Sequence, residues 1–256
     1  MRPDKELDVE ERVAFFKQFS RPAGSRVMLD TSVLGVFDFS ALLKSGNLHG
    51  SEMRDVLSAE RTLIDKIKPI FVNGGFVFPQ EVREEYEQLT RHLERTGRYN
   101  GNGYHGWYAP TVRARRELFQ GLPLVRDLIP KEILPCLERI DETVREISAD
   151  FYARNDMKRF IRQKKCSVPD HALDDEHILA KALALSYGCP VRVVSPDTDF
   201  IEIYNSVVLN MERFMQRGVP SLPDNPFELI FVSSRGAIEL FDPKRVRRMK
   251  AYFGKN

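Results

Sequence analysis

Two acidic side chains lie just beyond apolar runs that are predicted to form strands. Asp30 directly follows the run RVML at 26–29, and Asp197 comes shortly after a β-branched run that ends at Val194. In open parallel sheets, binding and catalytic sites form beyond the carboxyl ends of the strands. The sequence therefore predicts that Asp30 and Asp197 lie together at one edge of a sheet.

Two further acids lie on predicted helices. At about 100° per residue, Asp175 projects onto the apolar stripe of its helix, whereas Asp174 is expected to cap the start of that helix. Glu85 borders the stripe of an earlier helix, and Glu84 points to solvent. The two stripes consist of Ile178, Leu179, Ala182 and Leu185, and of Val82, Tyr86, Leu89 and Leu93.

An acid that faces a protein interior is costly unless something compensates its charge. Two carboxylates about 4 Å apart repel by roughly 4 kcal/mol at an effective dielectric of about 20. A group of carboxylates would therefore take up protons or bind a cation, and oxygen ligands favour Mg²⁺ or Mn²⁺. Such an ion activates water and stabilises charge on a phosphate group. Taken singly, each acid could be a helix cap, a turn residue or a surface residue, so the prediction depends on their joint placement.

Four stretches of the chain carry a resemblance to a known family. They read VMLDTSVLG, FVFPQEVREEYEQL, DDEHILAKALAL and VRVVSPDTDF, and cover roughly 25–45, 70–95 and 172–205. In this order they resemble the PIN-domain family of metal-dependent nucleases. The resemblance implies a three-layer α/β/α sandwich with a central, mostly parallel sheet. It says nothing about 97–170, where the sequence pattern itself predicts a helical insertion. It also implies an endoribonuclease that uses Mg²⁺ or Mn²⁺, with relatives that cut structured DNA.

The resemblance also implies roles for individual residues. The second motif is ambiguous by one position, between Glu84 and Glu85, and Glu85 is the residue carried over. The implied catalytic carboxylates are Asp30, Glu85, Asp175 and Asp197. The implied metal ligands are Asp30, Asp175, Asp197 and Asp199, and the hydroxyl residues implied beside the metal are Thr31, Ser32 and Ser195.

Basic and aromatic segments outside these motifs are the predicted substrate-binding surface. Clustered cations fit a phosphate backbone, and an exposed aromatic ring can stack on a base. A solvated helix face and ordinary packing against the core are the alternatives. The predicted contacts are Lys158, Arg159, Arg162, Lys164, Lys165 and Trp107, and a second basic cluster in the tail comprises Lys244, Arg245, Arg247, Arg248 and Lys250.

Strands that alternate with helices indicate an α/β class with a mostly parallel sheet. We predict one domain over 1–256, with 97–170 as an insertion and 226–256 as a C-terminal hairpin plus a basic tail. Phe71–Phe78 is rich in β-formers and is predicted to be a strand region with a break at Gly74-Gly75.

Composition sets broader limits. The net charge is only +2, and the three cysteines form no CxxC pair, so a zinc ribbon or a disulfide framework has no support. The charged N-terminus and the lack of a run of roughly 20 apolar residues favour a cytoplasmic protein without a membrane partner. RNA is the expected partner, and a second copy or an inhibitory protein stays open. The alternative functions are a catalytically silent RNA-binding or scaffold protein, a structure-specific DNA nuclease, and a phosphotransferase with Asp30 as nucleophile.

Overall fold

The structure is a computed structural model, and its described residues fall into two compact units. The first unit is formed by Met1–Ala23 with Thr31–Pro123, and the second by Gly24–Asp30 with Leu124–Asn256. The described residues are 8–21, 24–37, 50–99, 105–154, 168–221, 227–233 and 237–253.

In chain order the elements are α1 (Val9–Phe19), β1 (Arg26–Leu29), α2 (Thr31–Phe37), α3 (Ser51–Asn73), β2 (Phe76–Val77), α4 (Gln80–Tyr99), α5 (His105–Glu117), α6 (Val125–Leu128), a 3-10 turn (Leu134–Cys136), α7 (Leu137–Arg154), α8 (Val168–Ser186), β3 (Val191–Ser195), α9 (Thr198–Leu209), α10 (Glu212–Gln216), β4 (Phe227–Val232), β5 (Ile238–Phe241) and α11 (Pro243–Phe253).

The first unit is built mainly from helices. Helix α3 packs against α1 and α5, and α5 also packs against α4. Aromatic rings fill part of the core, with the Phe71 centroid 5.3 Å from that of Phe16 and 5.1 Å from that of Phe78. A buried ion pair joins α3 to α5, because Arg115 Nε lies 2.5 Å from Glu60 Oε1.

The predicted strand region at Phe71–Phe78 is wrong over its first half. Helix α3 continues to Asn73, and the strand β2 covers only Phe76–Val77. Ile64, Ile67 and Phe71 recur at helical spacing and are all buried, so the apolar stripe of α3 continues through the predicted start of the strand. The turn that follows uses Gly75 at a φ of 76°, which favours glycine.

The second unit contains four strands that lie side by side in the order β1-β3-β4-β5. The first three are parallel, with Leu29 opposite Val194 and Val194 opposite Ile230, and β5 pairs antiparallel with β4. Apolar runs such as Val27–Leu29 are fully buried, as expected for strands covered on both faces. Helix α8 packs against β3, and α7 packs against α8 and α9. The predicted α/β class with a mostly parallel sheet is confirmed, and the sandwich of the PIN-domain family stays a prediction.

Helix α8 begins earlier than the sequence pattern indicates. It starts at Val168, so Asp174 lies within the second turn instead of capping the first. The prediction that Asp174 is the helix cap is therefore wrong.

The stretch 97–170, predicted as an insertion, contributes to both units. Helix α5 belongs to the first unit, whereas α6 and α7 belong to the second. The prediction of one domain with an insertion at this place stays a prediction.

The C-terminal strand pair forms where the sequence predicts a hairpin. Strand β5 pairs only with β4 among the described residues, and its side chains Ile238, Glu239 and Leu240 are exposed. Arg245 of α11 lies across this strand: its guanidinium is 4.9 Å from the Phe241 ring centroid, donates to the Leu240 carbonyl at 2.5 Å and pairs with Glu239. No helix in the described part of the chain is long and apolar enough to cross a membrane.

Candidate functional site

Asp30 lies at the carboxyl end of β1, next to the end of the parallel strand β3. Its backbone amide donates to the Val194 carbonyl at 3.0 Å, which continues the ladder between the two strands. The residue is only 5% exposed. The backbone pairing therefore fixes a buried carboxylate at the sheet edge where the sequence predicts a site.

Ser195 connects Asp30 to Asp197. The fully buried Ser195 hydroxyl donates to Asp30 Oδ2 at 3.0 Å and accepts from the Asp197 amide, also at 3.0 Å. A serine hydroxyl can donate and accept at once, so one side chain satisfies both partners. We call Asp30, Ser195 and Asp197 the strand-end cluster.

Asp197 also caps helix α9. Its Oδ1 accepts from the Asp199 amide at 2.9 Å, and its backbone is extended, as expected for an N-cap residue. The alternative of an ordinary turn residue is thus present at Asp197, which in addition caps the helix. The same bond fixes the orientation of the Asp197 carboxylate and brings Asp199, which is half-buried, next to the strand-end cluster.

Glu202 is an acid that the sequence motifs do not identify. It lies one helical turn after Asp199, and its Oε2 is buried with no hydrogen-bond partner among the described residues. Burial raises the pKa of Glu202, and the charge of Asp199 raises it further. The i, i+3 spacing of Asp199 and Glu202 on α9 is the sequence signal that predicts a shared face.

On α8, the buried acid is Glu176 and not Asp175. Asp175 is half-buried, whereas Glu176 is 6% exposed. Burial raises the pKa of Glu176, and the nearby charge of Arg145 acts in the opposite direction. The inward-facing acid that the sequence predicts at Asp175 is therefore Glu176 in the structure.

A polar network joins α7 and α8 beside Glu176. His177 Nδ1 lies 2.5 Å from Asp141 Oδ1, and Arg145 pairs with the same carboxylate. Arg145 Nη2 is 3.3 Å from His177 Nε2. Since an arginine only donates, the neutral His177 tautomer with its proton on Nδ1 satisfies both contacts. This network cross-links two helices.

Glu85 and the hydroxyl residues of the first motif belong to the first unit. Glu85 and Glu84 are both exposed on α4, and Glu84 accepts from Gln80 at 2.9 Å. On α2, Thr31 is buried, and its hydroxyl has no hydrogen-bond partner in the described ranges, whereas Ser32 is exposed. The roles implied for these residues stay predictions.

Trp107 packs against a core cluster of the first unit. It is partly buried against Leu57, Leu93 and their neighbours, and the Arg54 guanidinium lies 5.5 Å from its ring centroid. The structure thus shows Trp107 packed against the core, which is the alternative to stacking on a base. The other predicted substrate contacts, Lys158, Arg159, Arg162, Lys164 and Lys165, lie outside the described residues.

Within the ranges that the structure describes, no three His, Cys, Asp or Glu side chains are grouped so that they could hold a metal ion. The predicted set of Asp30, Glu85, Asp175 and Asp197 draws on both units and stays a prediction. The residues that hydrogen bonds do bring together are the strand-end cluster and Asp199.

No protein-family model, no curated protein and no solved structure gives a significant match to this chain. The family resemblance thus depends on the four motifs alone.

Proposed function

We propose that this chain is a divalent-metal-dependent nuclease that hydrolyses RNA phosphodiester bonds at the strand-end cluster. The observation that carries the proposal is the Ser195 hydroxyl, which joins Asp30 to the Asp197 amide at the ends of adjacent parallel strands. Sites of open α/β sheets form at this position. Of the four motifs that resemble PIN-domain nucleases, the first and the fourth carry the acids at these two strand ends.

The donor set fits a hard cation that is completed by substrate. Mg²⁺ commonly binds proteins through one or two carboxylates, and keeps waters and substrate phosphates as its other ligands. Two carboxylates, from Asp30 and Asp197, meet this requirement without a third grouped acid. When bound, the ion lowers the pKa of a water molecule and neutralises charge on the phosphate.

The residues of the cluster position these carboxylates. Ser195 orients the Asp30 carboxylate through Oδ2, and the Asp199 amide orients Asp197 through Oδ1. Outer hydrogen bonds of this kind fix the geometry of metal-binding side chains. Asp175 and Glu85 are the further acids that the resemblance assigns to metal binding and to orienting water.

The decisive experiment compares the parent with Asp30→Asn on labelled single-stranded RNA, tRNA and flap DNA, in Mn²⁺ and in chelator. We expect RNA cleavage in Mn²⁺ only, and a fall of more than about 100-fold in the variant, since even outer ligands contribute 10- to 100-fold. Asp127→Asn makes the same chemical change at an exposed position of the second unit and should leave cleavage unchanged.

Three outcomes would contradict the proposal. Equal cleavage by the parent and Asp30→Asn would show that the site is wrongly assigned. Cutting of flap DNA with RNA left intact would indicate the DNA nuclease. RNA binding that is equally tight with and without Mn²⁺, with no cleavage of the RNA, would indicate a catalytically inactive RNA-binding protein. The same series with Asp175→Asn and Glu85→Gln tests whether those acids take part.

A further inference from the structure

Three cations lie on one face of the C-terminal helix α11. Lys244, Arg247 and Arg248 are spaced i, i+3 and i+4, which makes them neighbours on a helix surface. All three side chains are exposed, and Arg248 Nε lies 3.4 Å from the Lys244 carbonyl. In the described part of the chain none of the three forms an ion pair.

Arg245 on the same helix shows what a compensated cation looks like in this fold. It pairs with Glu239, donates to the Leu240 carbonyl and lies over the Phe241 ring. Among the described residues, none of the three cations of the exposed face has an acidic partner. Like charges at this spacing repel one another, and a bound polyanion would remove that repulsion.

The position of α11 relates this face to the proposed active site. Helix α11 packs against α9, and α9 begins directly after Asp197 of the strand-end cluster. Both helices belong to the second unit. On the inner side of α11, Val246 is buried and holds the helix in place. The cationic face is thus presented by a helix adjacent to the one that Asp197 caps.

We propose that Lys244, Arg247 and Arg248 form a docking surface for the phosphate backbone of single-stranded RNA. We call these three residues the basic face. The choice of RNA rests on the proposed nuclease function, whereas the contact itself needs neither metal nor cleavage. Cations that contact phosphates release counter-ions, so binding should be sequence-independent and should weaken steeply with salt.

The test measures binding of labelled poly(U) RNA in EDTA over a range of salt concentrations. The variant carries Lys244→Gln, Arg247→Gln and Arg248→Gln. A plot of log association constant against log salt concentration has a negative slope. Removing three phosphate contacts should make that slope less steep by about 2, and should weaken binding about 100-fold at about 0.1 M salt. A control with Arg113→Gln, Arg126→Gln and Lys131→Gln removes the same charge from exposed positions on other elements and should bind as the parent does.

Equal affinity and equal slope in the parent and the basic-face variant would overturn the inference. It would also fall if the parent bound anionic phosphatidylserine vesicles through these residues and bound poly(U) without them. If the triple variant fails to fold by circular dichroism, Arg247→Gln alone should lower the slope by about 0.7. Asp30→Asn separates the two proposals, because it should bind poly(U) as the parent does and fail to cut RNA. Cleavage by this variant tests the nuclease proposal, and the binding of poly(U) by the basic-face variant tests the docking surface.

Discussion

The two units each bury an acidic side chain, and they satisfy it in different ways. In the first unit, Glu60 is fully buried and pairs directly with the guanidinium of Arg115, which is 2% exposed. In the second unit, the buried Asp30 accepts a hydrogen bond from the neutral hydroxyl of Ser195. A guanidinium cancels the charge of its partner, whereas a hydroxyl fixes the orientation of a carboxylate and does not cancel its charge. The first arrangement suits a structural cross-link, and the second suits a carboxylate that acts on a ligand.

The largest expected effect is on the structural pair. Arg115→Met leaves the Glu60 carboxylate buried without its guanidinium, and breaking such a pair typically costs about 3–5 kcal/mol. The free energy of unfolding from urea titration should therefore fall by that amount. The double variant Glu60→Leu with Arg115→Met should recover most of the loss, because well-packed apolar residues often replace a buried pair without penalty. If Arg115→Met were as stable as the parent, the Glu60–Arg115 pair would not be a structural cross-link, and the two units would not differ in this way.

The next effect concerns the connecting hydroxyl of the strand-end cluster. Ser195→Ala should lower stability by about 1–3 kcal/mol, because the buried Asp30 carboxylate and the partly buried Asp197 amide lose their hydrogen bonds. Cleavage of RNA by the folded variant should fall by about 10- to 100-fold, as for other residues that orient metal ligands. Ser195→Thr retains the hydroxyl and should restore most of the rate. If the cleavage rates of the variants change only in proportion to their stability, and Ser195→Thr does not restore the rate, Ser195 has a structural role alone.

The smallest effect comes from a buried hydroxyl of the second unit that lies outside the cluster. Tyr204 donates to the Phe227 carbonyl at 2.7 Å, so Tyr204→Phe should lower stability by about 1 kcal/mol and leave RNA cleavage unchanged. Burial raises the pKa of Tyr204, and the charges of Glu228 and Asp242 add to this. The folded state therefore retains the proton that the unfolded chain releases, so the parent should lose stability as pH rises above about 10.

That loss should be smaller in Tyr204→Phe, which urea titrations at neutral and alkaline pH would measure. A fall of the same size in both proteins would contradict the account of Tyr204. A drop in cleavage by this variant would show that hydroxyls outside the strand-end cluster matter for the reaction.

The sequence predicts the sheet edge better than it predicts the helices. Short buried runs that each end in a polar residue are sufficient to place Asp30 and Asp197 at adjacent strand ends. Helix α8 is different, because Ala180, Leu183 and Ala184 are buried in addition to the predicted stripe. A helix that is apolar nearly all round has no single inward direction. Its sequence therefore could not distinguish Asp175 from the buried Glu176.

Helix α4 shows a related error. The predicted stripe includes Leu89, which is only half-buried, whereas Thr90 is fully buried and donates its hydroxyl to the Tyr86 carbonyl at 2.8 Å. Because a polar residue takes an inward position, the centre of the buried face turns away from Glu85. Binary patterning cannot detect a threonine that satisfies its own hydroxyl within the helix.

Among the described residues, β5 is an edge strand of the sheet in the second unit, which bears on the behaviour of the protein at high concentration. Unpaired strand edges are templates on which other chains can add strands, and proteins often protect them with charged side chains. In this chain Arg245 of α11 contacts three consecutive residues of β5, which are Glu239, Leu240 and Phe241. An incoming strand would have to displace that arginine before it could pair. We therefore expect Arg245 to oppose the addition of a strand at this edge.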